Sequence, residues 1–510
     1  MTTPLRKQRP PGRAPSRVGQ ALAADRLGVW TVVAIVGGAI APLTVVAGGA
    51  TTGWAVTGIL AIPLAYLVVA VLLMLFSSGY TAMISHGKMS AGPLYTVPAR
   101  GLGRPVGVGS GLVAVLAYVL MQAGLLGGFG AVGGPLLAEQ WGWSAPWWVW
   151  ALAAWVVIGL LGVLNVEVVG KVLAFLLAAE VLVAVVLAVV MFQHPAGGHV
   201  DFTAISPWQI MVAGFFAACA IAVAGFVGFE GTGNLSEESK NPRRTVPRAT
   251  AVALGITAVL YSGVALAMVV AAGPDKIVAK ATSDGTDTMF NLAAPYVPGW
   301  LIVAGHFLLL SSLFASALAF HSLISRYLFT LGREHVLPGG LARTSARSNA
   351  PVTASLTTTV LALLIVAAYV INGWDPLTKL FFQLTVLGGF GVLLLMIIAS
   401  AATAAYFSPH RNRTEGVGVT RGVLAPALSV IALGFVLIET LKQFTILLGI
   451  APDDPLRWIF PGLFGVAFAA GIGWALRLRG RRPGAYQAIG TSKPPQVSTE
   501  PAATFVAGGW

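Results

Sequence analysis

Apolar residues in this chain come in runs of about twenty or more, the length that crosses a bilayer as a helix, and the runs are parted by short stretches carrying Gly, Pro and charge. Reading the runs against those breakers predicts twelve transmembrane helices, near residues 28–52, 55–78, 106–137, 147–165, 168–192, 208–235, 249–272, 298–330, 352–371, 377–406, 423–448 and 456–478. The expected fold is therefore all-α and polytopic. A basic tail (1–27) precedes the membrane domain (28–478), and a Pro-, Gly-, Ser- and Thr-rich tail (479–510) reads as disordered.

Composition agrees with the pattern. Of the 510 residues 56% are hydrophobic and only 10% charged, too apolar a mixture for one aqueous core. The first 27 residues hold no apolar stretch with a cleavage site, so they read as a tail and not a signal peptide. Cys219 is the single cysteine; with no second one, neither a disulfide framework nor a cysteine metal site can form.

A net charge of +13 would suggest nucleic acid if the basic residues shared one folded face. They sit between apolar runs instead. Of 31 Lys and Arg, 26 fall in segments that alternate crossings place on one side, and only Lys276, Lys280, Lys379, Lys442 and Arg457 fall outside. Positive loops stay cytosolic during insertion, so both termini are expected in the cytosol of a cell-membrane protein, with lipid and not nucleic acid as the partner.

Two spans carry internal breakers. The first contains Gly37-Gly38-Ala39-Ile40-Ala41-Pro42-Leu43, where Pro42 lacks an amide donor and the glycines weaken the turn before it. The sixth contains Gly225-Phe226-Val227-Gly228-Phe229-Glu230-Gly231. Each opens a block of five spans, about 28–192 and 208–406, as a five-plus-five inverted repeat requires, leaving two further helices at 423–478. Interrupted helices expose main-chain polar groups at mid-depth, where they can hold a solute. Close packing of Gly and Pro between helices is the plain alternative for either site alone.

With these segments in view, the chain resembles the amino acid-polyamine-organocation (APC) superfamily of permeases, which share the LeuT-type inverted repeat. The resemblance rests on Gly228-Phe229-Glu230 with the run from Glu237 to Ala249, on Gly92-Pro93-Leu94-Tyr95 with Arg100-Gly101-Leu102-Gly103, and on Arg326 with Leu331-Gly332-Arg333-Glu334 and Leu337-Pro338. It implies a secondary active transporter of amino acids or small amines, working by alternating access as a proton or sodium symporter or as an exchanger. A substrate sensor on the same fold, or an ion channel, is the alternative function. The resemblance places the substrate at backbone of Ala39, Ile40, Ala41, Pro42 and Leu43 and of Gly225, Phe226, Val227 and Gly228. Phe226, inside the second break, reads as an aromatic gate or pocket wall or as an ordinary packing Phe, and Gln122 and Gln383 could reach a central pocket, although buried amides more often tie helices together. The chain departs from the commoner pattern at Ala39-Ile40-Ala41-Pro42, where a Gly-Ser/Thr-Gly run is usual. No cofactor is implied.

An ionisable group deep in a span is costly in hydrocarbon and functional by default. Glu180 is the outstanding case, flanked by apolar Leu173 to Ala179 and Val181 to Val190. A carboxyl there could take up a proton, since burial disfavours its charge, or could bind Na+ alongside the hydroxyls of Ser311 and Ser312; the resemblance sets it where some proton-coupled relatives carry a Lys. Gln383, His306 and His321 read more readily as helix linkers, Glu230 as a gating or structural acid, and Glu439 and Lys442 as a pair three residues apart. No HExxH zinc pair, Ser nucleophile elbow or paired membrane Asp set points to an intramembrane enzyme.

Overall fold

The computed structural model describes residues 18–19, 26–86, 92–164, 166–345, 348–408 and 416–494. The expected basic residues Arg6 to Arg17, Lys88, Arg347, Arg411 and Arg413, and the end of the tail from 495, lie outside the described residues. Among the described residues eleven helices are long and apolar enough to cross a membrane, and the shorter apolar helix Trp147–Leu161 makes the twelfth. The protein is thus an all-α polytopic membrane protein.

The first span is α1 (Val29–Ile40) followed by α2 (residues 42–57), which includes a π-wound stretch at Val45–Gly49. Then come α3 (Ile62–His86), the short α4 (Thr96–Gly101), α5 (Arg104–Trp141), α6 (Trp147–Leu161) and α7 (Val166–Gln193). The second block holds α8 (Phe215–Phe226), a 3-10 segment Phe229–Gly233, α9 (Pro242–Ala272), short α10 (Ile277–Asp284) and α11 (Thr288–Ala293), α12 (Gly299–Arg333), α13 (Val352–Ile371) and α14 (Pro376–Phe407). The last helices are α15 (Thr420–Lys442), α16 (Phe444–Leu448), α17 (Leu456–Arg481) and α18 (Pro483–Ala488).

Three boundaries differ from expectation for local reasons. The first span runs to Thr57 and the second begins only at Ile62, because Gly58 takes a left-handed φ of 68° that closes one helix before the next can start. The sixth begins at Phe215, not near 208: Pro207–Met211 is a short 3-10 turn with exposed Trp208 and Met211, and Gly214 at φ 93° sets the true start. Of the tail expected to be disordered from 479, the described part instead continues α17 to Arg481 and adds α18.

Long helices pack around the two interrupted ones. α5 lies against α12, α14, α6 and α17, while α3 lies against α9, α8 and α15. Small residues let backbones approach closely. Gly101 of α4 meets the Ala402 main chain of α14, Gly130 meets the Trp147 carbonyl, and Gly471 of α17 meets Gly109 of α5. On one face the chain ends gather: Val18–Gly19 pairs antiparallel with Thr344–Ser345, Leu27 bridges to Ser239, and Ser492 reaches Glu334.

Gly101→Val forces a side chain onto the Ala402 carbonyl, a main-chain neighbour that cannot swing aside. We expect it to lower stability by about 1–3 kcal/mol in a thermal melt of the detergent-purified protein, whereas Gly465→Ala, with open space around it, should melt with the parent.

Candidate functional site

The first break is a single residue. The Ala41 amide closes α1 by bonding the Gly37 carbonyl, but Ala41 itself sits at φ 49°, ψ 70°, and Pro42 then starts α2. A left-handed conformation costs a non-glycine residue about 1–2 kcal/mol, so the surroundings must hold it there. In the second break Val227 is extended and Gly228 turns at φ 119° before the 3-10 segment begins. Only glycine suits this place twice over, since a Cβ at Gly228 would lie 2.6 Å from that of Ala39. The two breaks therefore touch.

Between them lies a cavity of about 80 Å³, lined among others by Ala39, Ile40, Ala41, Thr44, Gly225 and Ser316. Most of its remaining wall is apolar, including Met121, Leu125, Ile221, Phe320 and Phe381, with Thr52, Tyr66 and Thr385 adding hydroxyl-bearing side chains. Of the residues expected at the substrate, Ala39, Ile40, Ala41 and Gly225 line this space. Pro42 faces a separate apolar groove between α1, α7 and α9 that also contains Gly37, Leu177 and Val181. Leu43, Phe226, Val227, Gly228 and Gln122 do not line the cavity. Phe226 is fully buried against Tyr66 and Tyr261, with ring centres 6.3 and 5.2 Å away, and packs where a wall was expected. Gln122 Nε2 donates to His321 Nδ1 at 3.1 Å, and His321 Nε2 reaches Ser355 Oγ at 2.8 Å, so these groups link α5, α12 and α13.

The main-chain groups released at the breaks find hydroxyl and carboxyl partners. Ser316 donates to the Ala39 carbonyl at 2.8 Å, and the Tyr261 hydroxyl lies 2.8 Å from the Ile40 carbonyl and 3.1 Å from that of Gly225, spanning both breaks. At the start of α2 the Leu43 amide donates to Glu180 Oε2 at 3.4 Å and the Thr44 amide to Ser312 Oγ at 3.2 Å, while Ser312 Oγ donates to the same Glu180 oxygen at 2.6 Å. Glu180 and Ser312 thus come together as expected, and Ser311 does not join them, because its hydroxyl bonds the Leu308 carbonyl. The Thr44 hydroxyl is buried, lines the cavity and has no hydrogen-bond partner among the described residues. Thr44, Ser316 and Tyr261 carry no spacing signal in sequence.

Whether this set suits Na+ follows from its chemistry. A cation needs several oxygens with free lone pairs; Glu180 Oε2 is met by two donors and the nearby Ala39 and Ile40 carbonyls each accept one hydroxyl, which leaves Glu180 Oε1 and a second lone pair on each carbonyl. The surroundings are built around an acceptor. Among the described residues no group of three His, Cys, Asp or Glu converges to hold a metal.

Beyond the cavity, toward the face carrying the chain ends, the second break is closed by another buried acid. Glu230 Oε1 accepts from Tyr118 at 2.7 Å, Oε2 accepts the Gly228 amide at 3.0 Å, and its own carbonyl accepts Tyr80 at 2.9 Å. Farther out, Arg326 pairs with Glu238 at 2.6 Å and Arg333 with Glu237 at 2.5 Å. The remaining polar residues lie elsewhere: His306 pairs with Asp287 at 3.2 Å, Gln383 donates to the Leu448 carbonyl, and Glu439 pairs with Lys442 at 2.7 Å.

Comparison with known proteins agrees with this architecture. An uncharacterized transporter of Mycobacterium tuberculosis is 27% identical over 361 residues, covering 64% of this chain and 77% of its own length. The D-serine/D-alanine/glycine transporter of Escherichia coli K12 is 29% identical over 213 residues, 39% of this chain and 44% of that protein. Branched-chain amino acid permease BcaP of Lactococcus lactis is 31% identical over 165 residues, 31% and 32% of the two chains. A family model described as amino acid permease matches residues 27–450. Interrupted helices, the shared cavity and that match over most of the membrane domain agree, and the chain belongs to the amino acid permease family.

Proposed function

We propose that this transporter carries a small neutral amino acid across the cell membrane by alternating access, with both termini cytosolic and with a proton as the coupling ion. The observation that carries the reading is the position of Glu180. Its carboxylate accepts the Leu43 amide at the amino end of α2 and joins that end to α12 through Ser312.

An amino end of a helix attracts anions. Glu180 and a substrate carboxylate held at the Thr44 hydroxyl therefore compete for the positive amino end of α2. A proton on Glu180 removes its charge and weakens its hold on Leu43, leaving the α2 terminus and the unpartnered Thr44 hydroxyl for the incoming carboxylate. Loss of the proton reverses the exchange and expels the substrate. Proton and solute then bind together and leave together, which is the thermodynamic requirement of symport. The carboxyl end of α1 supplies carbonyls for the ammonium.

Substrate size and polarity follow from the cavity. About 80 Å³ holds about three waters at roughly 30 Å³ each, the scale of one small amino acid, and among the described residues no charged side chain lines it. The names of the Escherichia coli and Lactococcus lactis relatives, for glycine and small D-amino acids and for branched-chain amino acids, support neutral substrates.

In proteoliposomes loaded with glycine, alanine or a branched-chain amino acid, Glu180→Gln should keep counterflow while abolishing uphill accumulation driven by a proton gradient. Full proton-driven uptake by this variant, or uptake that needs Na+ in the parent, would reject the coupling assignment.

Thr44→Val keeps the shape of the side chain and deletes the free hydroxyl. A lost hydrogen bond to a charged group is worth about 1.5–3 kcal/mol, so substrate affinity measured by calorimetry should fall roughly tenfold or more with the melting temperature of the ligand-free protein unchanged. Unaltered affinity would remove Thr44 from the site.

A further inference from the structure

The segment after the last span folds back onto the protein. α18 and the residues after it lie against α4 and the end of α12, with Ala485, Ala488, Ile489, Gly490 and Ser492 buried. The Arg104 guanidinium sits over the Tyr486 ring at 5.3 Å, and Arg100 Nε donates to the Gly490 carbonyl at 2.9 Å. The Ser492 amide donates to Glu334 Oε1 at 2.8 Å, while the Tyr95 hydroxyl donates to Glu334 Oε2 at 2.9 Å. One carboxyl thus joins this segment to α12 and to the residue before α4. The fit is close: a Cβ on Gly490 would lie 2.7 Å from that of Ala99, and one on Gly92 would strike the Ser492 hydroxyl.

Glu334 is fully buried and, among the described residues, makes no ion pair of its own. The neighbouring Arg333 is committed to Glu237, Arg100 reaches the Gly490 carbonyl, and Tyr95 faces the carboxyl as a neutral donor. We propose that residues 483–493 form a releasable strap that clamps α4 to the end of α12 and slows opening of the face proposed as cytosolic, and that the proton on Glu334 decides how firmly it holds. The clamping role rests on the transport reading; the docking does not.

The sign follows from burial. Desolvation pushes the Glu334 carboxyl up to about 7 from its ordinary 4.5, outweighing the Ser492 and Gly490 amides, the Tyr95 hydroxyl and the nearby Arg333. Lifting the strap removes two amide donors, which acts to raise the group, and admits water to the carboxyl, which acts to lower it; because desolvation is the largest cause, the net change is back toward 4.5. The docked form therefore binds the proton more readily, so docking is firmest in acid and is lost as pH rises through about 7. For a single group shifted this far the docking constant should change about tenfold between pH 6 and pH 8.

Hydrogen exchange of the full chain in detergent, corrected for the intrinsic pH dependence of exchange, reads this directly. Protection of residues 489–493 should fall about tenfold from pH 6 to pH 8 in the parent and stay level in Glu334→Gln. Ser492→Pro, which deletes the bonding amide at a residue whose φ of 55° proline cannot adopt, should lose that protection at both pH values while the membrane helices keep theirs. Its counterflow at pH 6 should rise at least to the parent's rate at pH 8. An equal pH response in Glu334→Gln, protection that survives in Ser492→Pro, or a lifted strap with unchanged counterflow would overturn the proposal. A pH-dependent strap on a protein that exchanges no solute would instead sink the transport reading, and the clamp with it.

Discussion

Interrupting a helix inside a bilayer releases amides and carbonyls where no water can take them, and each unsatisfied group costs several kcal/mol. Everything around the two breaks answers that cost. The Ala39 and Ile40 carbonyls are taken by Ser316 and Tyr261, and the Leu43 and Thr44 amides by Glu180 and Ser312. These partners come from α7, α9 and α12, so the same bonds that make the break tolerable also gather three helices around it. Ala41 can stay in its left-handed conformation because those neighbours hold both sides.

The two breaks share a device. Each offers a free amide to a buried carboxyl: Leu43 to Glu180 in the first, Gly228 to Glu230 in the second. The acids differ in what else they touch. Glu180 is tied to α12 by Ser312 beside the cavity, whereas Glu230 is tied to Tyr118 of α5 on the side toward the chain ends. Among the described residues, the other side chains that touch these two acids through hydrogen bonds are hydroxyls, Ser312 and Tyr118, and not basic groups. A Lys or Arg partner would lock a carboxyl in its charged form, while a hydroxyl can donate to the ion or accept from the acid. Such surroundings tolerate either protonation state.

Much of this was legible from residue types alone, because lipid imposes strong rules. Apolar run length marked the spans, Pro42 and Gly228 marked the breaks, and an acid amid Leu, Ala and Val marked Glu180. What sequence could not show was direction. Leu43, Phe226 and Val227 sit beside the breaks, yet the φ and ψ values that turn them from the cavity depend on how α1 and α8 meet. Thr44, Ser316 and Tyr261 went unnoticed because hydroxyl residues are common in membrane helices and their importance depends on which carbonyl faces them. The end of the chain misled for a related reason: Pro, Gly and Ser suggest disorder where nothing docks, but Gly490 and Ser492 allow a tight fit against Ala99 and Gly92.

The start of α1 explains why the breaks should move as one. The Arg26 and Leu27 amides both reach the Glu238 carbonyl at 2.9 Å, and the Lys240 amide returns to the Leu27 carbonyl at 2.8 Å. Glu238 belongs to the segment leaving the second break, and Arg326 of α12 holds its side chain in a buried ion pair. Tilting α1 outward therefore either drags residues 238–240 with it or breaks main-chain bonds and exposes part of that pair. Since Gly228 already presses on Ala39 at the other end of the same two segments, they are joined at the cavity and again at the face carrying the chain ends. A displacement that opens one break must then change the other, and the hinge left to absorb it is the one-residue turn at Ala41.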